Sequence, residues 1–226
     1  MTRKKSLRVL LYSASALAVC TLLIGALHTP MGRPLLARLG VGCPVQASPE
    51  DVERARLGSA RATSGVEPSP AQPALGFVLD KMTPDDVKAW AAREHVSCEE
   101  QRGGTVLTCT QVPEGALGES ASGVTDELVL AFSPKSNRLV NIATTQYGLD
   151  GNAAASRMER VVASLEEKLG KPTREAGPRS ASYLAAAPLR TALVRYRFSD
   201  YQADVTATNV AGKGLMLREH YMSARD

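Results

Sequence analysis

From Val9 to Leu27 the chain runs nineteen residues without a charge, VLLYSASALAVCTLLIGAL, behind a flank carrying Arg3, Lys4, Lys5 and Arg8. At about 1.5 Å of rise per residue, such a run makes a helix of roughly 28 Å, the thickness of a hydrocarbon core. The four basic residues of segment 1–8, set against only Arg33 and Arg38 shortly beyond, orient the N-terminus toward the cytoplasm. The expectation is a signal-anchor over 9–27 and a single-pass membrane protein. Two other fates of the leader stay open: cleavage near Ala14-Ser15-Ala16, or acylation of Cys20 within Leu17-Ala18-Val19-Cys20, where Val19 departs from the small residue a lipobox carries. All three deliver residues 44–226 to the far side of a membrane.

The same flank accounts for the charge. The chain has 27 basic and 23 acidic residues, so removing the four of the flank leaves 23 against 23. The rest is formally neutral, without the clustered stripe that tracks nucleic-acid phosphates. A bias of 19 Arg against 8 Lys is typical of GC-rich genomes. It points to a bacterial inner membrane with a periplasmic C-terminal domain.

Cysteine placement agrees with an oxidising compartment. Cys98 and Cys109 lie in HVSCEEQRGGTVLTCT, two strand-like runs around Gly103-Gly104, a dipeptide suited to the positive φ of a tight hairpin. Pairing outward from Arg102 opposite Thr105 sets Cys98 across from Cys109, which predicts a disulfide. The other readings are free thiols, or zinc with His95 as a third ligand, although no short Cys-x2-4-Cys knuckle is present. Cys43, left over beside the membrane, is either a lone thiol or the link of a homodimer.

Beyond the anchor, segment 28–62 is juxtamembrane, with a short helix from about Pro49 to Arg61 begun by Ser48-Pro49-Glu50-Asp51. Residues 63–74, TSGVEPSPAQPA, hold three prolines and no period, and predict an extended linker. A domain over 75–226 follows. It opens with a capped helix from Thr83-Pro84-Asp85-Asp86-Val87 to about Glu94, with Val87, Trp90 and Ala91 on one face and Trp90 as a core anchor. Strand-like runs follow at 96–101, 105–112, 127–132 and 139–146. A second helix, about Ala153 to Leu169, is stopped by Gly170 and Pro172. Val194, Tyr196 and Phe198 then alternate with Arg195 and Arg197, and Tyr201 to Thr208 alternates likewise before Gly212-Lys213-Gly214 turns into 215–222. One wet and one buried face per strand means antiparallel sheet covered on one side. The predicted class is therefore α+β, a two-layer domain with helices on one face of the sheet.

The helix starting Thr83-Pro84-Asp85-Asp86-Val87, and Leu169-Gly170-Lys171-Pro172-Thr173 leading from helix to strand, give a pattern over about 75–222. It resembles the repeated helix-then-three-strand module of the β-lactamase-inhibitor-protein and outer-membrane assembly lipoprotein group. The first half has four strand-like runs where that module has three. The resemblance implies a non-catalytic, protein-binding role on the exposed sheet face, and no functional residue carries over.

Chemistry-bearing motifs are sparse. Histidines stand at 28, 95 and 220 only, and Gly118-Glu119-Ser120-Ala121-Ser122-Gly123 has one residue too many for a nucleophile elbow. No HExxH, P-loop or calcium-loop pattern occurs, so neither a metal nor a cofactor is expected. The reading is a membrane-anchored extracytoplasmic binding or envelope-assembly protein, non-catalytic, whose partner is a protein or envelope component. Arg195, Arg197, Asp204 and Thr206 are the candidate contacts on the wet sheet face. The rivals are an envelope hydrolase using His95 or His220 and a structural spacer linked through Cys43.

Overall fold

A computed structural model describes residues 48–113, 115–118 and 123–225, and 48–226 groups as one unit. The expected anchor, Cys20 and Cys43 lie outside the described residues, among which no helix is long and apolar enough to cross a membrane.

The period-two runs build one antiparallel sheet of eight strands. They are β1 (Ser97–Gln101), β2 (Val106–Val112), β3 (Thr125–Phe132), β4 (Leu139–Leu149), β5 (Arg174–Ala176), β6 (Thr191–Arg197), β7 (Tyr201–Val210) and β8 (Gly214–Ser223). Their spatial order is β1-β2-β3-β4-β8-β7-β6-β5, so the last strand of each run of four meets the other at the centre. A helix precedes each run: α2 (Pro84–Arg93) before β1 and α3 (Gly151–Leu169) before β5. The class is thus α+β, as the alternation predicts. The second run holds four strands rather than three, because β5 is three residues long and too short to show a period.

Local chemistry sets the helix ends. Thr83 Oγ1 accepts from Asp86 N while the Asp86 carboxylate accepts from Thr83 N at 2.8 Å, a reciprocal cap with Pro84 in the first turn. Asp150 caps α3 by accepting from Ala153 N, and Gly170, at φ 78°, closes it. A five-residue helix, α4 (Ala181–Ala185), capped by Ser180, adds Leu184 to the core. Val87, Trp90 and Ala91 of α2 and Met158, Val161, Val162, Leu165 and Leu169 of α3 pack into one core with Leu107, Cys109, Leu128, Leu130, Val194, Val205 and Leu217 of the strands. Trp90 sits as a core anchor, its ring edge-on to Phe77 at 4.8 Å and its Nε1 donating to Ala116 O.

The hairpin register is the one read from the sequence. Cys98 pairs with Cys109 and their sulfurs are bonded at 1.99 Å, so the pair is a disulfide and not half of a zinc site. The turn is a single 3-10 turn over Arg102–Gly104, with Gly103 at φ 66°.

Helix α1 (Pro49–Thr63) lies on the opposite side of the sheet from α3, so the helices are not confined to one face as the strand alternation predicts; one end of the polar face is covered too. Along β8, Leu215, Leu217 and Tyr221 enter the main core, whereas Met222 faces the other way and packs with Ala60 of α1 and with Ala224. Gln202 of β7, paired with Met222, donates to Ala60 O at 2.8 Å. Arg56, held by Glu53, donates to Ser223 O. The stretch read as a linker is extended and bonded to the domain: Ser69 N and Gln72 Nε2 donate to Asp200, Ser199 N donates to Glu67 O, and Tyr201 Oη donates to Pro73 O. Prolines remove backbone donors, which suits a strap clipped largely through side chains more than a ladder. At Gly65 the strap runs against Arg197 O so closely that a Cβ would collide with it.

Candidate functional site

The sheet face opposite α2 and α3 is where strand alternation places polar side chains in register. One row across it reads Arg174, Arg195, Asp204, His220, Ala143, Val129, Thr108, Glu99, from β5 through β6, β7, β8, β4, β3 and β2 to β1. The next reads Leu193, Thr206, Arg218, Thr145, Glu127, Thr110. Glu99, Thr110, Arg174 and Arg218 are exposed and most of the rest half-buried. Helix α1 covers only the row beyond, at Gln202 and Met222.

Three of the four residues singled out in the sequence come together here. Arg197 Nη2 donates to both carboxylate oxygens of Asp204, at 2.7 and 2.9 Å, and its Nη1 donates to the Tyr196 and Ala203 carbonyls. Arg195 Nε lies 3.4 Å from Asp204 Oδ1. Thr206 shares the face but sits one row away, opposite Arg218, outside the ion cluster. His220, which the sequence offers as a strand-end residue or, in the hydrolase alternative, a base, joins the cluster, with Nδ1 4.0 Å from Asp204 Oδ2 and Nε2 2.9 Å from Asn141 Oδ1. Burial would raise the Asp204 carboxyl, but hydrogen bonding from His220 and the Arg197 guanidinium outweigh it and hold the group below the usual range.

Arg197 and Arg195 therefore differ in kind. The Arg197 side chain is 13% exposed and engaged through both Nη groups by Asp204 and backbone, so it braces the β6–β7 hairpin. Arg195, 40% exposed, has donors to offer outward. Alternation gives both arginines the same face; only the packed hairpin assigns one to bracing.

The hydrolytic alternative has this geometry: both His220 ring nitrogens face oxygen acceptors, neither a hydroxyl nor a thiol. His95 is exposed in the link between α2 and β1, at φ 55°. Residues 119–122 of the serine-containing loop lie outside the described residues. Among the described residues no three His, Cys, Asp or Glu are grouped to hold a metal.

The core side also holds a buried carboxyl. Glu219, paired with Thr144 across the β4–β8 seam, is buried and accepts a hydrogen bond from the Tyr221 hydroxyl. Burial pushes its carboxyl up to about 7, against the lowering effect of that bond. Tyr221 in turn borders a cavity of about 570 Å³ between the strap at 72–77, Leu117 and the Val161, Ser164, Leu165, Lys168 stripe of α3. In the sequence Glu219 falls on the core-facing register of Leu215, Leu217 and Tyr221, an acid where the alternation calls for an apolar residue, but alternation alone does not say that the position lies at a seam.

Comparison with protein-family models, with curated proteins and with solved structures finds no match.

Proposed function

We propose that this chain is a single-pass membrane protein of a bacterial inner membrane, N-terminus cytoplasmic, that displays a non-catalytic domain in the periplasm to bind a protein or envelope component. The compartment reading is supported by the uncharged leader behind its basic flank and by the Cys98–Cys109 disulfide, a bond that persists in oxidising spaces. The resemblance to tandem helix-plus-strand modules points to the exposed sheet face as the binding surface. The observation that carries the binding role is that face itself. Eight strands at about 4.8 Å spacing make it roughly 34 Å wide, and α1 occupies one end only.

The test is photo-crosslinking in intact cells from an amino acid with a photoreactive ring, placed at Arg218 on the open face and, as control, at Glu167 on the exposed side of α3. A discrete adduct from position 218 and none from 167 is the expected result. Equal or absent adducts at both positions would remove the open face as the binding surface.

A further inference from the structure

The partner's chemistry follows from how charge divides over the open face, an inference that rests on the binding role proposed above. On the β5–β8 half, Arg174, Arg195, Arg197 and Arg218 face outward with a single carboxylate, Asp204, already chelated by Arg197. On the β1–β4 half the outward charges are Glu99 and Glu127. The chain is formally neutral beyond residue 8, so this is a separation of charge and not an overall excess.

The arrangement also carries a local penalty. Arg174 and Arg195 are direct register partners across β5 and β6, and like charges directly opposite destabilise a sheet. Arg195 shares Asp204 with Arg197, and its Nε is buried without a hydrogen bond. Neither Arg174 nor Arg218 has an ion pair among the described residues, and both are exposed.

We infer that the β5–β8 half of the open face receives an acidic polypeptide segment whose separate carboxylates pair with Arg174, Arg195 and Arg218. Spacing selects this partner over a phosphate group. The three guanidinium-bearing positions spread over about 15 Å, three strand intervals, whereas one phosphate needs convergent donors. An extended peptide presents same-side residues about every 6.7 Å, so carboxylates at alternate positions span the three sites. Single-stranded nucleic acid wants aromatic platforms between its cations. The two rows here offer alanine, threonine, valine, leucine and histidine.

The probe is a fluorescein-labelled octapeptide of alternating Glu and Thr, titrated by anisotropy against the full chain in neutral detergent. Saturable binding that weakens with salt is expected. Arg174→Glu with Arg218→Glu should lower affinity more than tenfold, and Arg174→Gln with Arg218→Gln by a smaller factor, with melting temperatures no lower than the parent's, since either change at 174 relieves the like-charge pair with Arg195. Glu99→Lys, on the other half, should not weaken it. Unchanged affinity in both double variants overturns the inference. So does binding of phosphatidylglycerol vesicles or an oligo-dT as tightly as the peptide, which would assign the face to lipid or nucleic acid. Crosslinks from position 218 in cells together with failure of the peptide would reject the acidic partner while leaving the binding role standing; loss of both would reject the binding role.

Discussion

The two halves of the sheet are built to one plan, a helix followed by four antiparallel strands, yet they are secured and decorated differently. The β1–β4 half is stapled at its edge hairpin by Cys98–Cys109 and shows acidic residues outward. The β5–β8 half has no disulfide; its hairpin turn is clasped by the strap through Asp200, its outer face is basic, and α1 lies over its end. Inward residues are alike in both halves because both must fill a single core. Outward residues away from α1 and the Arg197–Asp204 brace are held by fewer packing constraints, which leaves them freer to diverge.

The largest expected effect lies at the seam where the halves meet, since β8 places Glu219 where β4 places Thr144. A carboxyl raised in the folded state is ionised more readily in the unfolded chain. Its contribution to stability is therefore full below about 4.5 and lost as pH rises through about 7. Glu219→Gln should flatten that slope, leaving stability at pH 8 higher than the parent's by roughly 3 kcal/mol; urea denaturation at pH 5 and pH 8 reads it. A variant with the parent's slope would show that the seam carboxyl is not the group responsible.

Next comes the staple. Replacing Cys98 and Cys109 with Ser should cost about 2 to 3 kcal/mol for a loop of this length. Hydrogen exchange should rise first in β1 and β2, and a uniform rise over all eight strands would mean that the two halves do not differ in local stability.

Within the basic half, Arg197→Ala removes both hydrogen bonds to the Asp204 carboxylate, leaving it the longer contacts to Arg195 and His220, and should cost about 2 kcal/mol at neutral pH, whereas Arg218→Ala should stay within about 0.5 kcal/mol. Asp204 is held low when folded, so its contribution is present above the ordinary carboxylate range and disappears as pH falls through its folded value. The Arg197 effect should therefore shrink in acid. Equal losses for the two arginines would erase the distinction between brace and contact residue.

The smallest effect concerns α1. Ala60 is its only buried residue, and Arg56 is a principal clasp. Arg56→Ala should speed exchange of the 49–63 amides about fivefold and leave β7 and β8 unchanged, a loss of about 1 kcal/mol confined to the docking.

The strand alternation was legible because a half-buried sheet imposes period two residue by residue. The hairpin register followed from counting outward from Gly103-Gly104. β5 was not legible, being too short to carry a period, and neither was the docking of α1, whose one buried side chain leaves no apolar stripe. The role of His220 was hidden for another reason: its partners Asn141 and Asp204 lie on different strands, 79 and 16 positions away in the chain.

Local sequence by itself determined the longer elements, the two capped helices and the alternating strands, to within a few residues at their ends, since caps, turn glycines and side-chain period act over a few residues, and it left out β5 and α4. It also determined which face of each strand is polar. The tertiary structure alone decided which strands became neighbours, and with that which arginine is spent on Asp204, which remain outward, and which carboxyl lies buried at the seam. Electrostatic environment depends on contacts distant in sequence, and only the closed core brings those together.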